Sequence, residues 1–371
     1  MVKSVMRIGV FCPTLHFLGG GEFVTVAIAN TLAQNGYSVT LFTTKKVDPK
    51  AIKDFFGETL HPKIETVTQS TSINPKGLAG FYQTIFRSYA AKNKCSLFID
   101  PYSNCVFPWS NICYIHYPIL NQQAFNKNFP YLRSPHHMEV GIIPHVLFEK
   151  NLVDYNDKLV LANSHYTAGE IKKFSQKNVQ VLYPPYTSAI NCQQQKPKQN
   201  LVVTVSRFES NKKLEIIPQI AAKTRPDTSF AIIGRLYDNS MLKALQATVK
   251  KLGLTERIKF YPDLPAQQKL ALLSSAKIYL HTMVGEHFGI SIVEAMASGC
   301  IPIVHNSGGM KEFVPPENRY ESLQEAADKI DSAINSWSIE RTMEPKRIAE
   351  NFSIQSFSER FMELFSQYLN C

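Results

Sequence analysis

The sequence predicts an α/β protein built from two doubly wound parallel sheets, and three observations carry that expectation. The first is Arg7-Ile8-Gly9-Val10-Phe11-Cys12, an apolar run suited to a strand buried on both faces; a loop ending in Gly19-Gly20-Gly21-Glu22, an apolar helix from Phe23 to Gln34 and a strand from Tyr37 to Thr43 follow it. The second is that the pattern restarts at Leu201-Val202-Val203-Thr204-Val205, with further strands at Phe230–Gly234, Ile258–Tyr261, Ile278–His281 and Ile301–His305. The third is length: 371 residues are long for one core and comfortable for two domains of about 150 to 200 residues each.

Within the first half, apolar residues at Leu78, Phe81, Tyr82, Ile85, Phe86 and Tyr89 recur at helical spacing, flanked by Lys76, Arg87, Lys92 and Lys94. Such a helix either lies in a lipid interface or covers a domain core. Strands follow at Ser96–Asp100 and Asn111–His116, then at Lys158–Ser164, where Ser164 is placed to cap a helix beginning near Tyr166. Val179–Pro185 closes the domain. The expected boundaries are a first domain over 1–185, a polar, turn-rich linker over 186–199, a second domain over 200–350 and a terminal segment over 351–371 holding a helix from about Ile354 to Leu369.

Composition narrows the function. Apolar residues make up 44% of the chain, and no apolar run reaches the roughly 18 to 20 residues that span a bilayer. Met1–Arg7 runs into a strand rather than reading as a signal peptide, so a cytoplasmic protein is expected, at most peripheral at the cytosolic face of a membrane. Seven cysteines without a C-x-x-C pair fit reduced thiols. The net charge of +10 is uneven: residues 1–185 carry 18 Lys and Arg against 11 Asp and Glu, residues 186–371 carry 22 against 19. The basic first half suits either an anionic partner, such as a membrane surface or a lipid phosphate, or ordinary solubility. No basic-aromatic motif supports nucleic-acid binding. A nicotinamide cofactor fits poorly, because Val24 stands where a third fingerprint glycine belongs and Thr43-Thr44-Lys45-Lys46 offers no acid to a ribose. His136, His137 and His145 lack a recognised metal spacing and are placed on a loop or acceptor-side segment.

Chemistry concentrates in Gly285-Glu286-His287-Phe288-Gly289-Ile290-Ser291-Ile292-Val293-Glu294, continuing to Gly299. A glycine turn runs straight into a helix, whose uncovered N–H groups and positive dipole end attract anions, and Gly289 permits close approach. Glu286 ahead of the turn and Glu294 inside the helix bracket that anion site with carboxylates able to accept from sugar hydroxyls. This is the chemistry of holding a sugar nucleotide.

The stretch resembles the E-x7-E signature of retaining glycosyltransferases with the GT-B fold, those of glycosyltransferase family four. With His305-Asn306-Ser307-Gly308-Gly309, its wording is nearest to the lipid-linked-oligosaccharide mannosyltransferases of that family and their archaeal relatives. The resemblance implies two Rossmann-like domains facing a cleft, with the final helix packing back across the first. It implies that Glu286 meets the sugar hydroxyls and Glu294 the nucleotide ribose, and that the amides of Gly289, Ile290 and Ser291 cradle phosphate. It also assigns the donor diphosphate to Arg207 and Lys212 of Ser206-Arg207-Phe208-Glu209-Ser210-Asn211-Lys212-Lys213. The family's usual glycine after that lysine is here Lys213, which leaves open which lysine points inward. Gly20 and Gly21 are carried over as the loop near the diphosphate and acceptor, against the alternative of a tight turn without ligand. His116, at the end of a sheet strand in Tyr114-Ile115-His116-Tyr117-Pro118, is carried over as a residue beside the transferred sugar.

The expected reaction is metal-independent transfer of a hexose with retention, mannose from GDP-mannose being favoured, to a saccharide acceptor that is lipid-linked or soluble. No further cofactor is expected: no Asp-x-Asp triplet occurs, and two cations with a helix dipole do the work of a magnesium ion. The rival readings are a UDP-sugar-dependent glucosyl or N-acetylglucosaminyl transferase, or an epimerase on the same fold, and a protein that binds a sugar nucleotide without catalysis.

Overall fold

The computed structural model describes residues 6–70, 77–118, 157–173, 178–187, 189, 197–236 and 239–370. They divide into two compact units: Met1–Ile52, Thr59–Pro184 and Phe357–Cys371 form the first, and Lys53–Glu58 with Pro185–Ser356 the second. The side chains of Leu78 and Phe81, together with Lys76, His136, His137, His145 and most of the expected linker, lie outside the described residues.

In the first unit, strands β1 (Arg7–Phe11), β2 (Ser38–Thr43), β3 (Glu65–Thr68), β4 (Leu97–Asp100), β5 (Ile112–Ile115), β6 (Leu159–Ala162) and β7 (Val179–Val181) form a parallel sheet of order β3-β2-β1-β4-β5-β6-β7. β1 is central because Ile8, Val10 and Phe11 are apolar on both faces and fully buried. Gly9 has a further reason: a Cβ there would lie 2.7 Å from Cys95 Sγ.

The chain order reverses between β1 and β4, and the loops after the carboxyl ends of such strands carry the ligand groups in sheets of this type. Helix α1 (Gly20–Gln34) starts earlier than the glycines suggest. Glu22 accepts from the Gly19 N–H (2.9 Å) and from the Thr14 hydroxyl (2.7 Å), which fixes the first turn and takes Gly20 and Gly21 into the helix rather than the loop.

Helix α2 (Pro49–Phe56) precedes β3, and α3 (Gly77–Lys92) follows it. On α3, Ile85 and Ala91 turn inward, while Phe86 is 70% and Tyr89 51% exposed, so the apolar stripe read from periodicity is split between core and solvent. Helix α4 (His165–Lys172) is capped by Ser164, whose Oγ accepts from the Thr167 N–H at 3.0 Å.

The second unit repeats the plan. Strands β8 (Gln199–Val205), β9 (Ser229–Gly234), β10 (Ile258–Pro262), β11 (Ala276–His281), β12 (Ile301–His305) and the short β13 (Arg319–Tyr320) run parallel in the order β10-β9-β8-β11-β12-β13. Helices α5 (Ile217–Ala221), α6 (Asn239–Lys251), α7 (Ala266–Ser275), α8 (Ile290–Ala297), α9 (Leu323–Asn335) and α10 (Ile339–Glu350) accompany them. Val202, Ile232, Ile278, Leu280, Ile303 and Ile330 are each at most 1% exposed and belong to one core. The closing helix α11 (Ile354–Asn370) contributes Phe357, Phe361 and Phe365 to the first unit, where Phe365 meets Tyr37 edge-on at 5.3 Å.

Candidate active site

The loop after β8 delivers the basic group. Gly234 lets this loop cross the neighbouring strand, since a Cβ there would sit 1.7 Å from the Ser206 carbonyl oxygen. Ser210–Lys212 then forms a single 3-10 turn, not the start of an α-helix, and ends at Lys213 with φ 55° and ψ 34°. That left-handed conformation is the one glycine adopts without steric cost, which accounts physically for a glycine at this place in the motif Lys213 departs from. The two lysines point differently: Lys213 is half-exposed and 3.9 Å from Glu215, whereas the Lys212 ammonium lies 2.7 Å from Glu286 Oε2 and 3.1 Å from Met283 Sδ. The Thr282 hydroxyl donates to the Lys212 carbonyl at 2.7 Å and holds the turn to β11.

Glu286 is the best-held carboxylate of the site. Its Oε2 receives Lys212 (2.7 Å) and His281 Nε2 (3.2 Å), while Oε1 accepts from the His287 N–H (3.2 Å). Burial acts to raise the carboxyl, but Lys212, with His281 and His287, outweighs it and keeps the group well below the usual carboxylate range. Its backbone is fixed just as closely. The Gly309 N–H donates to the Glu286 carbonyl (2.8 Å), the Gly285 N–H donates to Ser307 Oγ (2.8 Å), and Ser307 Oγ lies 2.8 Å from His305 Nδ1. Gly308, at φ 71°, packs so closely that a Cβ would come within 2.2 Å of the Glu286 carbonyl oxygen.

Helix α8 begins at Gly289, whose φ of 97° turns the chain sharply into the helix. The amides of Ile290 and Ser291 head that helix without intrahelical acceptors. The Ser291 hydroxyl is 2.7 Å from the Tyr279 hydroxyl, which is 3.1 Å from the Val205 carbonyl, so the first turn is tied to the sheet floor. Burial pushes the Tyr279 phenol far up. Eight residues after Glu286, Glu294 is 6% exposed, and both its oxygens accept from Lys269 of α7, at 3.0 and 2.8 Å.

Of the residues read from sequence, Glu286 and Lys212 are in direct contact, and Gly289, Ile290, Ser291 and Glu294 share one helix start. Arg207 is half-exposed and its ion pair is with Glu209 at 3.1 Å, not with Glu286. Two residues of this arrangement, His281 and Lys269, were missed, while Ser307 lies in the His305–Gly309 stretch already singled out. The carboxyl-end position that singled out His116 would have found His281. Lys269 is an ordinary helix lysine in sequence and carries no signal.

The first unit brings two further expected residues together. A Cβ on Gly21 would lie 3.1 Å from His116 Nε2, so the first turn of α1 rests against that imidazole. Nε2 lies 3.1 Å from the Pro101 carbonyl and therefore carries the proton, leaving Nδ1 as an acceptor. Burial lowers the His116 pKa to about 4, so the ring is neutral at pH 7. Asn104 Oδ1 accepts from the His116 N–H at 2.8 Å, and Asn163 Nδ2 donates to its carbonyl at 2.9 Å. Gly20, one residue earlier, is exposed.

Two parallel Rossmann-like units, the second holding a carboxylate pair about a glycine-started helix, define the class: this is the GT-B fold of glycosyltransferases. Among solved structures, Anabaena Alr3699/HepE in complex with UDP and glucose superposes with a TM-score of 0.73 at 18% identity, covering 98% of this chain and 100% of that one. WaaG, a glycosyltransferase involved in lipopolysaccharide biosynthesis, gives 0.71 at 14% identity, with 95% and 97% covered. Residues 188–352, within the second unit, match the family Glycosyl transferases group 1. Several curated relatives carry the name GDP-Man:Man(3)GlcNAc(2)-PP-Dol alpha-1,2-mannosyltransferase. The Dictyostelium discoideum protein is 24% identical over 301 residues, 70% of this chain and 59% of its own length. The Homo sapiens protein is 29% identical over 288 residues, 68% of this chain and 58% of its own length. The chain thus spans somewhat under two thirds of these relatives.

Proposed function

We propose that this protein is a retaining glycosyltransferase that moves a hexose, mannose from GDP-mannose, to a saccharide acceptor carried on a lipid. The observation that carries the reading is the Lys212–Glu286 contact beside the head of α8, a cation and a carboxylate 2.7 Å apart next to free helix-start amides. The Dictyostelium discoideum and Homo sapiens relatives, both named as GDP-Man transferases acting on a PP-Dol-linked oligosaccharide, support the donor and acceptor assignment.

As the glycosidic bond breaks, negative charge grows on the leaving diphosphate. Lys212, Arg207 and the amides of Gly289, Ile290 and Ser291 stabilise that charge more in the transition state than in the ground state. These groups supply the positive charge in place of a metal ion. Glu286 accepts from the sugar hydroxyls and Glu294 from the ribose, each sharing the carboxylate with its lysine. Gly20, exposed at the start of α1, leaves room for phosphate, Gly21 makes room for the His116 ring, and neutral His116 acts as a hydrogen-bonding, sugar-positioning group rather than a cation. The acceptor attacks on the face from which the diphosphate departs, and the departing phosphate takes its proton.

A membrane-borne acceptor agrees with α3, which exposes Phe86 and Tyr89, carries Arg87 and Lys92 and has no acidic residue along its length. Among the described residues no helix is long and apolar enough to cross a membrane. The contact we propose is through this face of α3, at the surface of the cytosolic leaflet. Flotation with phosphatidylserine vesicles tests it: the Phe86→Ser, Tyr89→Ser double variant should lose binding, and retention would remove the lipid contact from the proposal.

The donor is tested by calorimetry with GDP, UDP, GDP-mannose and UDP-glucose on the wild type and on Glu286→Ala. Guanine binding, with the sugar's added affinity lost in Glu286→Ala, supports the mannosyl reading. The structural likeness to a UDP-glucose-binding protein makes uridine the second candidate, and preference for it would move the donor to glucose or N-acetylglucosamine. Indifference to all four would leave a non-enzymatic role.

A further inference from the structure

We propose that His281 is a positioning residue for the reaction, its Nε2–H holding Glu286 Oε2 so that Oε1 faces the sugar; this rests on the donor-site reading above. His281 closes β11 and is 3% exposed. Its ring lies nearly parallel to Tyr279, with centroids 6.3 Å apart, and the Tyr320 hydroxyl donates to its carbonyl at 3.0 Å, so the imidazole has little freedom to turn. Nε2 stands 3.2 Å from Glu286 Oε2, and because an ionised carboxylate only accepts, Nε2 carries the proton.

The two oxygens of Glu286 are unequally used. Oε2 already holds Lys212 and His281, while among the described residues Oε1 has the His287 N–H alone, at 3.2 Å. Oε1 is therefore the oxygen left to accept a sugar hydroxyl. A division of labour follows. Lys212 has three donors on a flexible stem and must also serve the diphosphate. When it does, His281 is the partner that stays, anchored in the sheet, and it keeps Glu286 from following the ammonium. The ring's other nitrogen tells against a packing role. His281 Nδ1 is buried and has no hydrogen-bond partner among the described residues, a cost that a leucine of similar size would not carry.

The groups facing Glu286 are Lys212 from the loop after β8, His281 and Tyr279 from β11, and its neighbour His287. Of these, Lys212, His281 and His287 hold the carboxyl down, against the burial that acts to raise it. Loss of His281 should move its titration upward.

The test compares the full chain with His281→Leu and His281→Gln, the latter retaining a side-chain donor. Carboxyl-carbon NMR of Glu286 in the ligand-free protein should show an upward-shifted titration in His281→Leu and a smaller shift in His281→Gln. GDP affinity should stay within about threefold of wild type, because Glu286 does not touch the nucleotide, while kcat with GDP-mannose falls about 100-fold in His281→Leu and recovers in part in His281→Gln. The acid limb of the kcat/KM profile should move to higher pH in step with the titration. An unmoved Glu286 titration overturns the proposal, and so does equal loss of GDP and GDP-mannose binding, which would mark a purely structural residue. A shifted titration in a protein that binds no sugar nucleotide would instead refute the donor reading and leave the His281–Glu286 coupling standing.

Discussion

Replacing Lys212 by methionine keeps the length of the side chain and removes its charge from Glu286. At 2.7 Å the gross attraction is about 6 kcal/mol at an effective dielectric of about 20, most of it offset by the desolvation of both groups. Removing one partner of a buried pair leaves the other charge uncompensated, at a cost of about 3 to 5 kcal/mol. Here the side chains keep 14% and 13% exposure, and His281 still donates to Oε2, so we expect a loss of about 2 to 3 kcal/mol at pH 7. The pH dependence identifies the cause. In the wild type the folded pKa of Glu286 lies below its unfolded value, so its contribution is fully present above about pH 4 and is lost as pH falls through the folded value. Without the lysine, only His281 and His287 oppose burial, so the folded pKa moves up and the variant loses stability relative to wild type as pH increases through that higher value. Urea midpoints at pH 7 and pH 4 should therefore show the variant's deficit shrinking by about half or more in acid. In the Lys212→Met background, Glu286→Gln should restore about 2 kcal/mol. A deficit equal at both pH values, or a double variant whose losses simply add, would refute the ion pair as the cause.

Lys213→Gly should raise Tm by a few degrees, on the order of 1 kcal/mol, because it relieves a left-handed backbone at φ 55°; unchanged or lower Tm by scanning calorimetry would deny the strain. Gly308→Ala should cost about 2 to 4 kcal/mol and abolish nucleotide-sugar binding in calorimetry, since its methyl would meet the Glu286 carbonyl at 2.2 Å; intact binding would mean that the loop yields freely. Lys269→Met should destabilise by about 2 to 4 kcal/mol by stranding Glu294, and adding Glu294→Gln should recover most of it by chemical denaturation.

Sequence legibility followed the range of the interactions involved. Most strands of both sheets were readable because apolar strands such as Arg7–Phe11 and Ile301–His305 encode burial locally, whereas the polar, largely exposed Glu65–Thr68 does not. The start of α1 was not, because three consecutive glycines read as loop and only the Glu22 contacts to Gly19 and Thr14 extend the helix back to Gly20. The strand Arg319–Tyr320 has two residues, too few for any periodicity, and exists through its pairing with β12. In the site, Glu286 and Glu294 were legible because their spacing about a glycine is local. Their lysines were not equally so: Lys212 stood in a motif, but Lys269 reaches Glu294 only through the packing of α7 on the sheet. Arg207 was conspicuous in sequence, while its pairing with Glu209 was not, since two residues of one loop meet only through its turn.

The division of the chain sets an order of manufacture. The first unit receives Phe357, Phe361, Leu364 and Phe365 from the last helix, residues that leave the ribosome after the whole second unit has been made. Its core cannot close until that helix has emerged, whereas the second unit has all its described strands in hand by Tyr320. A nascent or truncated chain ending before Phe357 would thus present an unfinished apolar surface near Tyr37, the kind of surface that chaperones hold and proteases find.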